Sequence, residues 1–438
     1  MTAPERRTGA MLPSRSRRLT ARLRDRRLAR LFALTDQGLQ GLASIIASAI
    51  LGRHLRADAF GAVGVAIGAY YVVAGFHRSL ITLPYVTEHR PHDDHRYHSD
   101  WWWLSLAAAL LLAAALAVIA GLLHIALPAQ RWLAEPLLLG AAITPPLLAA
   151  DFVRRWFYKQ ERAWLAALVS ATFFVALIGS TAVAATTRTD AVAGALAWGG
   201  AATLATLCAL LLLRPAAPAA TRAWQRFVPH RRFAGWLALN IFPYAVYSTA
   251  TVVILIGALL GPEAAAVFTA ARTLTNPAVS IVSAIDSTDK PRAAAALAEH
   301  GGTGLRHAIG TTRRTLIVLT GGYLATIALV APPLIALVFD GRYAGAETDV
   351  RWLCAAFFLF CLNQPSETLL IVLRASRLLF ATRAATALVT LAALVLVIPY
   401  GIAGMTAAIA ISQLATIGLL ALAERHALRR CPAASPRS

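Results

Sequence analysis

Arg272 stands about nine residues inside an otherwise apolar stretch, Ala264 to Ile285. A guanidinium near the middle of a bilayer costs about 2.5–3.5 kcal/mol on insertion scales. It is tolerated where it faces a protein interior or a watered cavity on the path of an ion or substrate. Its planar fork matches a pair of phosphate oxygens. Asn276 lies one turn further along the same face, and Thr269, Thr273 and Thr275 add polar atoms. Pro277 removes a backbone hydrogen bond and frees a carbonyl near residue 273. The chemistry on offer is a phosphate or diphosphate clamp. The alternative is an arginine paired structurally with a buried acid or with backbone carbonyls.

Further polar groups fall inside or beside apolar runs. Arg78 lies about 20 residues into a run that begins near residue 59. It is either a second rung of a cationic, substrate-binding path or a side chain that snorkels to the membrane surface. His77 beside it reads as an interfacial residue before it reads as a proton carrier. Asp36, Gln37 and Gln40 form a polar patch in the first run, with Asp36 about 7–9 Å deep. Asp36 is the candidate for ion coupling, to a proton or to sodium, unless it pairs with Arg78 at a similar depth. Asn240, with Tyr244 and Tyr247, holds the related place in the seventh run and is expected to face a cavity and contact substrate. Asp151, Arg154 and Arg155 sit at one end of the fourth run, and Gln364, Glu367 and Arg374 are their counterparts near the tenth. Arg155 and Arg374 are candidate gate residues, with ordinary interfacial charge as the alternative.

His89, His92, His95 and His98 repeat every third residue beside Asp93 and Asp94. Pro91 interrupts any helix there, and the segment reads as a solvated loop rather than a zinc site. Cys208, Cys354, Cys361 and Cys431 form no CxxC pair, and the first three lie in apolar runs, where cysteine behaves as a small hydrophobe. There is no phosphate loop, dinucleotide fingerprint, nucleophile elbow or metalloprotease motif. No catalytic residue, metal, cofactor or ATP-driven step is expected.

Membrane helices must position these groups. The chain is 58% hydrophobic and 14% charged, against about 25% charged in a soluble domain, and its mean hydropathy is +0.62. Twelve apolar runs are each long enough to cross a hydrocarbon core: about 31–52, 59–82, 102–126, 132–151, 164–186, 192–213, 234–258, 264–286, 315–339, 351–372, 379–399 and 402–423. The ten-residue alternation of a membrane barrel is absent. The expected fold class is an all-α polytopic membrane protein.

Twelve spans put both tails on one face, which then holds 33 of the 41 lysines and arginines. Six more lie on the other face, and Arg78 and Arg272 are intramembrane. The positive-inside rule makes both termini cytoplasmic. Ten arginines in the first 30 residues, followed by a full-length apolar run, do not read as a cleavable signal peptide. The net charge of +20 reads as anchorage at an anionic membrane surface, not as nucleic-acid binding. The segments between spans are too short for a soluble catalytic domain. Trp101, Trp102 and Trp103 open the third span, where an aromatic belt is expected.

The halves echo each other. Leu55-Arg-Ala-Asp-Ala-Phe-Gly-Ala-Val opens span 2, and Leu260-Gly-Pro-Glu-Ala-Ala-Ala-Val opens span 8, 205 residues later. Pro146 precedes Arg155 by nine residues, as Pro365 precedes Arg374. Span 6 opens with Asp190-Ala-Val-Ala-Gly-Ala and span 12 with Gly401-Ile-Ala-Gly-Met-Thr-Ala-Ala. Two six-helix bundles related by an internal repeat suit alternating access. The expected organisation is a basic cytoplasmic tail over 1–30, a first bundle over 31–213, a cytoplasmic linker over 214–233, a second bundle over 234–423 and a cytoplasmic tail over 424–438. Arg272 falls in the second bundle, and its repeat partner is Ile67, so symmetry does not duplicate the charge.

Four segments resemble one family. Leu51-Gly-Arg-His-Leu-Arg-Ala-Asp-Ala-Phe-Gly-Ala resembles the link between the first two spans of polysaccharide flippases. Phe268-Thr-Ala-Ala-Arg-Thr-Leu-Thr-Asn-Pro resembles their span 8. Phe339-Asp-Gly-Arg-Tyr-Ala-Gly-Ala resembles the loop before their span 10, with Asp340 in place of the usual glycine. Ile398-Pro-Tyr-Gly-Ile-Ala-Gly-Met-Thr-Ala-Ala resembles the start of their last span. Taken in order, these resemble the oligosaccharide and lipopolysaccharide-type flippases of the MOP (multidrug, oligosaccharidyl-lipid, polysaccharide) exporter superfamily. The resemblance implies a transporter, not an enzyme, of the bacterial cytoplasmic (inner) membrane. Its cargo would be a polyprenyl-diphosphate-linked oligosaccharide, moved from inner to outer leaflet for cell-surface polysaccharide synthesis. Partners would be the lipid bilayer and polysaccharide assembly proteins. The rival readings are a cation-coupled multidrug exporter of the same superfamily, which would want an unpaired intramembrane carboxylate; a glycan polymerase or ligase, which would want a long outer loop; and a peptidoglycan-precursor flippase, which would want extra helices.

Overall fold

A computed structural model of the chain describes residues 26–88, 94–187 and 190–429. The arginines before Arg26, His89, His92, Asp93, Arg188 and Cys431 lie outside the described residues, within which every regular element is helical. The spans are Arg26–His54; Ala57–His77 with its continuations Arg78–Thr82 and Leu83–Thr87; His95–Ala126; Ala134–Lys159; Ala163–Thr187; Ala191–Leu213; Arg231–Tyr247 with Thr249–Leu260; Pro262–Thr275 running on into Pro277–Leu329; the far part of that last helix; Glu347–Val372; Ser376–Val397; and Gly401–Arg429. Gly301 breaks Pro277–Leu329 with φ 62° and ψ −151°, which separates span 8 from span 9.

Eight spans are long and apolar enough to cross a membrane, or ten if each of two bent pairs is one span. The remaining two are spans 1 and 8. These carry Asp36, Gln37 and Gln40, and Arg272 and Asn276, so the residues that lower their hydropathy are polar ones in mid-helix.

The structure departs from straight spans at three places. Span 2 passes through a π-turn at Arg78–Thr82, where the N–H of Leu83 reaches back five residues to the Arg78 carbonyl. Pro84 follows and has no N–H to give the previous turn, and the wider π-turn absorbs that mismatch. Span 7 bends by 48° at Ser248, whose extended backbone and side chain cap the helix Thr249–Leu260. Span 9, expected to run straight to residue 339, turns by 79° into Ala331–Phe339. Pro332 and Pro333 cannot donate to the last turn before Val330, so the helix stops and restarts in a new direction.

Two expectations near span 3 are corrected. His95 to Trp101 is helix, not solvated loop. Asp94 caps it by accepting from the Tyr97 N–H at 2.9 Å. His98 is buried, bonded to the Tyr85 hydroxyl at 2.9 Å and stacked on Trp156. Trp101 and Trp102 do not form a lipid-facing belt; they are buried in the first half's core.

On the side away from the termini the two halves share one apolar core. It joins Leu51, Phe60 and Val63 of spans 1 and 2 to Val253, Phe268 and Phe339 of the second half. Gly64 and Gly68, one turn apart in span 2, let it lie against span 8 and span 7. A Cβ on Gly64 would overlap the Thr269 hydroxyl, and one on Gly68 would come within 2.7 Å of the Ala250 carbonyl oxygen. Two arginines tie the same side together. Arg53 donates to the carbonyls of Val338 (2.7 Å) and Leu337. Arg342 donates to the carbonyl of Arg53 at 2.6 Å. The rings of Phe60, Phe339 and Tyr343 cluster beside them at 5.4–6.3 Å.

Candidate functional site

Below that shared core lies a cavity of about 400 Å³. Its walls come from the near-terminus halves of spans 1, 2, 7, 8, 10 and 12, with Trp198 from span 6. Arg272, Asn276 and Arg78 all line it, as do Tyr244 and Tyr247. Its wall includes two arginines and no carboxylate.

Arg272 is 8% exposed. Its guanidinium carbon sits 5.3 Å from the centre of the Tyr71 ring. Its Nε has no hydrogen-bond partner, and no carboxylate among the described residues pairs with it. The π-face offsets part of the cost of desolvating the cation but fills none of its N–H donors. Asn276 ends the helix Pro262–Thr275, with its N–H on the Arg272 carbonyl at 2.9 Å. Of the carbonyls near Pro277, that of Leu274 accepts from the Tyr323 hydroxyl at 2.7 Å.

Arg78 opens the π-turn. The local register leaves it exposed to the cavity while His77 and Ser79 on either side are buried. It makes no hydrogen bond, and no ion pair within 4 Å, among the described residues, although its charge acts on Asp151 alongside those of Arg155 and Arg154. His77 reaches the Ser105 hydroxyl at 3.1 Å and takes no part in the cavity wall.

Asp36 is fully buried, and its partner is Arg154, not Arg78. Arg154 grips it with two bonds of 2.9 and 2.6 Å. Tyr158 donates to it at 2.6 Å, and Ser170 donates to its other oxygen. Four donors occupy the roughly four lone-pair sites of a carboxylate. Asp151 lies between Arg154 (3.4 Å) and Arg155 (3.5 Å). Arg374 is exposed in the turn after span 10, with φ 55°, and takes no part in the wall of this cavity. Asn240 is buried, bonded to the Trp236 carbonyl at 3.0 Å, and does not line the cavity; Tyr244, one turn on, takes the wall position expected of it.

Arg383 was not foreseen from the sequence. It lies seven residues inside Ser376–Val397 and bonds Glu367 at 2.7 Å, with its guanidinium 5.3 Å from the centre of the Tyr244 ring. A charge two turns inside an apolar helix was the available signal, hidden by its nearness to Arg374 and Arg377. Tyr71, Trp198 and Gln413 also line the cavity unforeseen. Among the described residues no group of three or more His, Cys, Asp or Glu is placed to hold a metal ion.

Comparison with known proteins adds a family and a fold. A family model described as polysaccharide biosynthesis protein matches residues 50–348. No curated protein matches the chain. Among solved structures, an inward-facing multidrug resistance MATE transporter of the MOP superfamily aligns at TM-score 0.69 and 15% identity, over 89% of this chain and 96% of that one. An outward-facing structure of such a transporter aligns at 0.58 and 16%, over 91% and 94%. A MOP-superfamily transporter from Pyrococcus furiosus, reported with a binding pocket of reversed polarity that suggests a different function, aligns at 0.61 and 16%, over 92% and 95%.

Proposed function

This chain belongs to the polysaccharide biosynthesis protein family and has the fold of MOP-superfamily transporters; from that premise we propose that it is a membrane transporter of that superfamily, a flippase for lipid-diphosphate-linked oligosaccharide. The cargo moves from the inner to the outer leaflet of the bacterial cytoplasmic membrane, with both termini cytoplasmic. The bundles 31–213 and 234–423, joined by 214–233, rock about the cavity between them. The observation that carries this reading is Arg272: a buried guanidinium with no carboxylate partner, in a cavity wall that holds a second unpaired arginine and no acid.

A diphosphate entering such a site loses hydration, and two guanidinium groups replace part of it. Moving negative charge outward against an inside-negative potential is favourable by about 2.3 kcal/mol per charge per 100 mV. Ion coupling is therefore not required, and the saturated surroundings of Asp36 argue against its serving that role in this state. The cavity lies on the side of the termini, and the far side is sealed by the shared core, Arg53 and Arg342. The better match to an inward-facing relative than to an outward-facing one supports the same state. Opening outward then requires those far-side contacts to part.

A cation-coupled drug exporter needs a free intramembrane carboxylate. Asp36, Asp151 and Glu367 are each paired with arginine; Asp349, whose Oδ1 is buried without a partner, lies in the first turn of Glu347–Val372 and outside the cavity wall, so the acid-free cavity favours the anionic cargo.

The test is transport by the full chain in proteoliposomes. The probe is a fluorescent polyprenyl-diphosphate-linked sugar, read by its accessibility to an outside quencher. Wild-type protein is expected to move it, and Arg272→Ala and Arg272→Lys to fail while still inserting. Normal movement by both variants contradicts the clamp.

A further inference from the structure

The linker between the halves is fixed to the first of them. Its helix Ala220–Phe227 packs on span 3. There Arg222 donates to both oxygens of the buried Asp100 at 2.8 Å, and Arg226 lies 3.6 Å from the same carboxylate. The Trp103 indole donates to the Ala216 carbonyl at 2.8 Å, and His230 reaches Glu88 at 3.3 Å. Two of the linker's arginines are therefore spent on Asp100. Arg231 and Arg232, at its far end, are exposed and make no ion pair or hydrogen bond among the described residues.

Those two arginines open span 7. At about 3.6 residues per turn, Arg232, Trp236 and Leu239 share one face of Arg231–Tyr247, and the cavity-lining Ile241, Tyr244 and Ala245 occupy the opposite one. Trp236 is 52% exposed and Leu239 41%. On a spanning helix such a strip lies against acyl chains, and an indole marks their boundary with the headgroups. Arg232 stands one turn nearer the termini side than Trp236, at the depth of the phosphates. Its guanidinium fork matches a pair of phosphate oxygens, and Arg231 beside it adds a second. The glycerol and first methylenes of a lipid then meet Trp236 and Leu239. A soluble acidic partner would match the charges but leave that strip, which runs into the span, unused.

We propose that the start of span 7 is a binding site for one anionic phospholipid of the leaflet on the termini side. Its phosphate lies on Arg231 and Arg232, and its upper acyl region lies on Trp236 and Leu239. With the termini cytoplasmic, as in the function proposed above, that leaflet is the anionic one. The site faces away from the cavity, so it is independent of the cargo. The bound lipid sits where the linker, locked to the first half, enters the second.

The experiment titrates the delipidated full-length chain in detergent with phosphatidylglycerol or phosphatidylcholine and counts bound lipids by native mass spectrometry. Wild-type protein is expected to hold one phosphatidylglycerol in clear preference to phosphatidylcholine. Arg231→Gln with Arg232→Gln should weaken that binding about thirtyfold, or about fivefold per arginine removed. Arg232→Gln alone should take about fivefold, and Trp236→Ala a few-fold from both lipids. The control is Arg306→Gln with Arg425→Gln, two exposed arginines elsewhere on the termini side with no Phe, Tyr or Trp within four residues. It should change the binding less than twofold. Equal binding of the two lipids by wild type, full affinity in both the double and the single arginine variants, or an equal loss in the control overturns the site. The cargo reading is untouched by any of these results, because Arg272 and Arg78 are unaltered.

Discussion

Each half of the molecule buries one arginine against a carboxylate and leaves another without one. In the first half Arg154 grips Asp36, and Arg78 is unpaired. In the second half Arg383 grips Glu367, and Arg272 is unpaired. Neither paired arginine lines the central cavity, and both unpaired ones do. The difference separates two uses of the same side chain. A buried charge paired with a carboxylate holds helices in register, even where, as at Arg383, Nε is left without a partner, and removing the carboxylate is costly because the cation is left uncompensated. A buried charge without a carboxylate is poised for a ligand, and the protein alone gains little from it.

That contrast can be broken at four points. Asp36→Ala strands Arg154 and should destabilise the protein by about 3–5 kcal/mol, seen as a large fall in the thermal midpoint in detergent. Asp36→Leu combined with Arg154→Leu should recover most of that loss, because no charge is left alone. A double variant no more stable than Asp36→Ala would contradict the structural reading of the pair. Arg272→Ala should leave the thermal midpoint unchanged or raise it, while weakening diphosphate-lipid binding by about 1.5–3 kcal/mol, as loss of hydrogen bonds to a charged group does. A large stability loss at Arg272 would place it with Arg154. Arg78→Ala should weaken the same binding by about 1.4 kcal/mol, a factor of about ten, since Arg78 is more exposed and more hydrated than Arg272. The smallest effect belongs to the far-side seal: in a chain whose other cysteines are replaced by alanine, Arg53→Ala should raise the labelling of Cys354, buried in the shared core, by a membrane-impermeant thiol reagent only a few-fold, because the Arg53 bonds are exposed. No change in labelling would remove Arg53 from the seal.

The sequence displayed the unpaired arginines better than the paired ones. Arg272 is conspicuous in one dimension because its neighbours are apolar for a full span. Arg154 is not, because it stands at the end of a span, where interfacial charge is ordinary, and its partner is 118 residues away. Arg383 is hidden in the same way, lying close to Arg374 and Arg377 at the start of its span. The cost of a buried charge is local, but its compensation is long-range, and only the first is written in the sequence near the residue. The bends divide similarly. Pro332 and Pro333 in a row are a readable stop for span 9. The Ser248 break is a single capping residue in an apolar run, and the π-turn at Arg78 depends on how Pro84 is accommodated. That π-turn exposes Arg78 between two buried neighbours, so periodicity alone could not give its orientation. Of Asn240, Tyr244 and Tyr247, the two tyrosines reach the wall and Asn240 does not: its side-chain NH2 turns back to the Trp236 carbonyl and leaves Oδ1 buried without a partner.

The central claim is that Arg272 is held open for a phosphate. The most direct measurement is binding of a short-chain polyprenyl diphosphate to wild type, Arg272→Ala and Asp36→Asn, with the thermal midpoint of each recorded in the same preparation. The account predicts that Arg272→Ala loses binding and keeps its midpoint, and that Asp36→Asn loses its midpoint and keeps binding in the fraction that remains folded. Retention of full diphosphate affinity by Arg272→Ala would contradict it.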